Sequence, residues 1–206
     1  MFSYVFLFIS SLFFLIPDKE KLNQDQLYSL LFTSFSLSHA SLGFISLILI
    51  FAGFSKFPIV IIAVLIFLVS FITSKHPLQN LLYIKKFLIS EKSLILKKNN
   101  TNIFKNLVFA LSIILLVLIL LSSVGPINHP DASDYHVGYP FQYFLRGGLF
   151  IDGGLHQGLV GIADYANLAF IQEGNIWMIR FIQVISLPLI VLFFLRNLKN
   201  NIFLLL

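Results

Sequence analysis

An all-α, polytopic membrane protein is the fold class this sequence predicts, and three observations predict it. Hydrophobic residues make up 58% of the 206 and charged residues only 11%, with a mean hydropathy of +0.91. A water-soluble domain needs about a quarter of its residues charged. The apolar residues gather into long runs, most of which approach the length that crosses about 30 Å of hydrocarbon. The lysines fall in loops between those runs, where positive charge sets membrane orientation. The net charge of +5 therefore points to a membrane and not to nucleic acid. With no cysteine in the chain, there is neither a disulfide framework nor a thiolate metal site, and any metal needs carboxylate or imidazole ligands.

The first run, residues 2–16, has neither a basic leader nor a small-x-small cleavage site, so it reads as a retained short membrane helix. A charged turn, Asp18-Lys19-Glu20-Lys21, leads to the second run, 27–54, which is polar in its first half and strongly apolar from Leu42. Ser34, Ser38 and Ser41 recur there at helical spacing, which suits close helix contact through small residues, and Gly43 and Gly53 allow the same. His39 in this run is expected to hydrogen-bond a neighbouring helix. Lys56 and Pro58 mark a tight turn into Ile59–Thr73.

Residues 75–105 carry seven lysines against the single acid Glu91. Lysine-rich loops resist translocation, so this loop is placed on the cytoplasmic side. The run 107–124 then leads outward, 125–174 lies on the outer face and 176–195 returns, leaving Arg196 and Lys199 inside. Working backward, the N-terminus and the Lys56 turn are outside. The chain divides into N-terminal helices with the basic loop, 1–106, and a second portion, 107–206, made of a helix, the outward loop and a returning helix. The count is five spans plus a partial sixth. That last one, five apolar residues closing on Leu206, is too short to cross, and a longer protein is expected.

The outward loop holds most of the polar chemistry. Asn128-His129-Pro130-Asp131-Ala132-Ser133-Asp134-Tyr135-His136-Val137-Gly138-Tyr139-Pro140 gathers two imidazoles, two carboxylates and two tyrosines next to an apolar helix. Side chains of this kind at a membrane boundary bind or react more often than they pack. Arg146-Gly147-Gly148 reads as a helix stop, since glycine accepts the left-handed conformation just past a helix end. Asp152-Gly153-Gly154 is a second turn, and 159–171 resumes a helical pattern expected to lie along the interface. No Walker-type phosphate loop, dinucleotide fingerprint or His-Glu-x-x-His zinc motif occurs.

Over Asp131-Ala132-Ser133-Asp134-Tyr135-His136-Val137-Gly138-Tyr139-Pro140, with Tyr143-Phe144-Leu145 and Gly147-Gly148-Leu149 following, the chain resembles membrane glycosyltransferases of the GT-C class. The likeness extends roughly from Leu107 to Leu195 and is closest to poorly characterised bacterial members. It implies a multi-helix enzyme of the bacterial inner membrane that transfers a sugar from a polyprenyl-phosphate carrier to an acceptor at the outer, periplasmic or extracellular, face. In that class an acid in the first large outward loop acts as general base or positions the acceptor and a metal. The matching position is Asp131, with Asp134 as second acid. The chain departs from the class in having fewer helices and no downstream soluble portion.

Sugar transfer from a lipid phosphate needs a base for the acceptor proton and something to steady the departing phosphate. A carboxylate just beyond a helix end is shielded from water, which makes it the better base. Asp131, Asp134 and His136 are the candidate catalytic residues, and Asp131 with Asp134 could hold a divalent cation such as Mg or Mn. Tyr135, Tyr139 and Arg180 are the candidate substrate contacts, arginine because its planar fork matches phosphate oxygens. Set against this, two aspartates in a first helical turn also favour the helix dipole, and Arg180 can snorkel to headgroups or pair with Glu173. The competing function is a non-catalytic polytopic membrane protein, a scaffold or a degenerate or truncated relative. A transporter comes third, because the span interiors carry almost no paired charges.

Overall fold

The computed structural model describes residues 1–16, 24–74, 136–151 and 160–186, together with isolated helical positions between 77 and 121. Every regular element among them is helical. Three helices, α1 (Phe2–Leu15), α2 (Gln24–Phe51) and α3 (Ile59–Thr73), form a bundle. Three short ones, α4 (Gly138–Arg146), α5 (Ile162–Tyr165) and α6 (Asn167–Gln172), form a layer against it. A last helix, α7 (Trp177–Ser186), follows.

In the bundle α1 lies between α2 and α3. It runs antiparallel to α2, with Leu12 and Ile16 packed on Leu27 and Leu30 and the Tyr4 hydroxyl donating to the Phe35 carbonyl at 3.0 Å. It runs parallel to α3 along an aromatic seam, Phe6 on Phe67 at 5.4 Å and Phe13 on Phe71 at 6.0 Å between ring centroids. The serines expected at helix contacts are there: Ser34 and Ser38 are fully buried, and Ser38 Oγ lies 3.5 Å from Ser11 Oγ of α1. Small side chains let the two backbones approach.

Of the five spans expected, one described helix meets the requirement. Residues Gln26–Phe51 of α2 are long and apolar enough to cross a membrane. At 14 and 15 residues, α1 and α3 are about 21 and 22 Å long, short of about 30 Å of hydrocarbon. Apart from a few isolated positions, residues 107–124 and the basic loop 75–105 lie outside the described residues, as do residues 187–195.

The layer is fastened to one end of the bundle, the end formed by the α1 start and the α2–α3 turn. Glu173 accepts the backbone N–H groups of Phe2 and Ser3, each at 2.8 Å, so the carboxylate caps α1. It also receives the Met1 amine and the Ser3 hydroxyl. Acid at a helix N-terminus satisfies orphan donors and meets the positive end of the dipole. Gln172 accepts the Ile59 N–H at 2.9 Å and donates to the carbonyls of Ser55 and Phe57 at 2.6 and 2.9 Å. The expected helix stop is present: α4 ends at Arg146 and Gly147 takes φ 87°. Gly148 then presses on Gly53, where an added Cβ would lie 2.9 Å from the Gly53 Cα. One core draws on both portions of the chain, from Tyr4, Leu42 and Ile59 to Tyr143, Phe170 and Ile179.

The layer does not simply lie across the bundle's end. The α4 terminus packs at Ile50 and Gly53, but α5 reaches Gly43, where a Cβ would collide with the Ile162 carbonyl. Gly43 is about 12 Å below the α2 end at a rise of about 1.5 Å per residue. Helix α5 therefore stands against the flank of the longest helix.

Candidate functional site

Two residues far apart in sequence meet between α4 and α5. His136, just ahead of α4, has its Nδ1 2.5 Å from Asp164 Oδ1, with the imidazole about one-third exposed and the carboxylate largely buried. A carboxylate only accepts, so Nδ1 donates to it. The other oxygen, Asp164 Oδ2, accepts the Gly161 N–H at 2.9 Å. Asp164 is the third residue of α5, and that bond from a capping position is half of a capping box. Buried Asn167, at the start of α6, donates from Nδ2 to the His136 carbonyl at 2.6 Å. The pair is thus held at three points: backbone to carboxylate, carboxylate to imidazole, and amide to the histidine's own carbonyl.

An aromatic cluster continues from Tyr165, the residue after Asp164. Tyr143, 1% exposed, stacks on Tyr165 at 6.2 Å and lies 5.3 Å from Phe150. Burial pushes the Tyr165 hydroxyl up from its ordinary range, with the neighbouring Tyr143 and the Asp164 carboxylate adding to it. The phenol keeps its proton at neutral pH and serves only as a neutral hydrogen-bonding group. Arg146 sits over the Phe150 ring at 4.0 Å.

On the far side of α5 opens a cleft of about 440 Å³ between α2, α5 and α7, a size usual for small-ligand sites. Phe32, Phe35, Ala40, Ile162 and Ile182 make it largely apolar, and His39 and Gln183 contribute its larger polar groups. His39 shares this lining with Ala163 of α5. Its Nδ1 is buried with no hydrogen-bond partner among the described residues.

Of the residues singled out from sequence, His136 stands in this site. Asp131, Asp134 and Tyr135 lie outside the described residues. Tyr139 is 7% exposed, its ring stacked on Phe150 at 6.2 Å, so most of its surface is spent on packing. Arg180 is half-buried on α7, three residues before Gln183. Glu173, its sequence-suggested partner, is taken up by the first turn of α1. Among the described residues no three His, Asp or Glu stand close enough to hold a metal ion.

Asp164 and Asn167 were not legible as site residues. Gly161 followed by an acid three residues on marks a helix start, and nothing in that spacing points to a histidine 28 residues earlier. Comparison of the chain with protein-family models, with curated proteins and with solved structures returned no match.

Proposed function

We propose that the chain is all or part of a multi-pass membrane enzyme that transfers a sugar from a polyprenyl-phosphate carrier to an acceptor at the outer face of the cytoplasmic membrane. The observation that carries this reading is the His136–Asp164 pair at 2.5 Å. An imidazole oriented by a buried carboxylate is suited to taking a proton from an acceptor hydroxyl. His136 is the base in this reading, Asp164 orients it, and Asp131 and Asp134 are the acids next to it in sequence. Membrane embedding is supported by the surface of the bundle. Phe44, Ile48 and Phe51 on α2, and Ile61, Leu65, Leu68 and Ile72 on α3, are all exposed, Ile72 at 79%. Each set follows helical spacing, and continuous apolar stripes of this kind are stable against lipid and costly in water.

The test is sugar transfer from a lipid-linked donor by the protein in membranes. His136→Gln and Asp164→Asn are expected to lower kcat by about 10²–10⁴-fold, the usual contribution of a positioned base. Asp131→Asn, assayed beside them, assigns or removes that acid. Full activity in His136→Gln would take the pair out of the chemistry. The non-catalytic reading has one observation in its favour: both oxygens of Asp164 are engaged by protein donors, as in a purely structural pin. It predicts no transfer by the unaltered protein with any lipid-linked donor, together with an unfolding temperature that falls in Asp164→Asn.

A further inference from the structure

Helix α5 is four residues long, and a single turn has no stability of its own. Its position, and with it the direction of the Asp164 carboxylate, is set by what it leans on. It leans on α2. At Gly43 the Ile162 carbonyl comes closer to the α2 backbone than any side chain would permit. One turn earlier on the same face of α2, His39 lines one cleft together with Ile162 and Ala163 of α5. Buried imidazole nitrogens are almost always hydrogen-bonded, yet His39 Nδ1 is buried with no partner among the described residues. Leucine would fill such a place without that cost. The polar ring stands beside Ile162 and Ala163, the two residues that lead into Asp164.

Two features at i and i+4 on α2, half-buried His39 and buried Gly43, thus stand beside consecutive residues of α5, and the next residue along carries the carboxylate that grips His136. We infer that His39 is a positioning residue for the His136–Asp164 pair, setting the height and rotation of α5 from the longest helix of the bundle. As a contribution to turnover this rests on the sugar-transfer reading; as a contribution to the geometry of the pair it does not. The carboxylate is already tied to its own helix through the Gly161 N–H, so moving α5 as a unit is the way to misalign it. A displacement of about 1 Å at such a pair can cost a large part of the rate.

The experiment reads the pair directly. In protein labelled with 15N-histidine and held in lipid nanodiscs, a ring N–H donating to a carboxylate gives a proton resonance far downfield. The His136 signal is assigned by its disappearance in His136→Gln. In His39→Ala that resonance is expected to move upfield or broaden, and kcat to fall about 10- to 100-fold with little change in KM. His39→Gln, which keeps a polar group beside Ala163, should restore most of both. Gly43→Ala, which pushes the same wall, should reproduce the loss. A His39→Ala protein whose His136 resonance matches the unaltered chain overturns the inference. If His39→Ala does not fold, as judged by circular dichroism and gel filtration, the decision passes to His39→Gln against His39→Asn. A native resonance only in the longer amide supports positioning, and native resonances in both overturn it. Because the resonance needs no substrate, absence of sugar transfer would sink the proposed function and leave this question decided separately.

Discussion

The three-helix bundle and the layer of short helices handle their polar atoms in opposite ways. In the bundle, most serine and threonine hydroxyls that have a partner turn back on their own helix, Ser10 to Phe6, Ser11 to Leu7, Ser70 to Ile66 and Thr73 to Val69, each four residues away, while the Tyr4 hydroxyl crosses to Phe35. In the layer, side chains reach across the chain: Asp164 to His136, Asn167 to the His136 carbonyl, Gln172 to Ser55 and Glu173 to Ser3. A locally satisfied hydroxyl asks nothing of the tertiary structure. A carboxylate held by residues distant in sequence is oriented only when everything else is in place. The bundle is therefore a scaffold whose polar atoms are largely interchangeable with apolar ones. The layer is where geometry has been specified, and candidate chemistry belongs there.

Five substitutions test that contrast, from the strongest expected effect down. Gly43→Leu drives a side chain into the Ile162 carbonyl and should destabilise the fold by about 3 kcal/mol, the upper range for overpacking. A thermal unfolding curve within 1 kcal/mol of the unaltered protein would mean that α5 does not depend on α2. Gln172→Ala removes bonds to Ile59, Ser55 and Phe57 together and should cost about 2 kcal/mol, because partly buried backbone groups lose their partners. Denaturant titration reads this directly, and the loss should exceed that of any single serine.

Glu173 gives a pH signature. Partial burial pushes its carboxyl up, but the hydrogen bonds from the Met1 amine and Ser3, with the charge of that amine, outweigh burial and hold it below the ordinary glutamate range. A carboxyl with a depressed folded-state pKa contributes stability that is complete above its unfolded value and lost as pH falls through the folded one. The unfolding temperature should therefore drop below about pH 4, and Glu173→Gln should show a shallower drop over the same interval. Parallel curves would remove Glu173 as the cause. Smallest of all, Ser10→Ala and Ser70→Ala in the bundle should stay within about 0.5 kcal/mol. A larger loss at either site would erase the distinction between the two regions.

What could be read from the sequence follows the same division. The bounds of α3, the serine contacts at Ser34 and Ser38 and the glycine stop after Arg146 rest on local chemistry: periodicity, a proline-marked turn and a left-handed residue. Those features are present in the fold. His136 came from the aromatic, acid-rich stretch ahead of Pro140. Its partner did not, because pairing two segments 28 residues apart depends on how α5 seats on Gly43, and a glycine in an apolar helix looks the same whether or not something rests on it. Span counting was the weakest reading. Composition makes each apolar run look alike, whereas helix length separates α2 from α1 and α3.

The Gln172 side chain joins the end of α6 to three backbone groups of the turn between α2 and α3, and that turn exposes Lys56 to its surroundings. The sequence has no cysteine, so a single Lys56→Cys exchange would give the chain its one thiol. A fluorophore attached there rides on the same anchorage as the layer, and a change in its emission or anisotropy would give an optical report on ligand arrival from a site that shares no atom with His136 or Asp164.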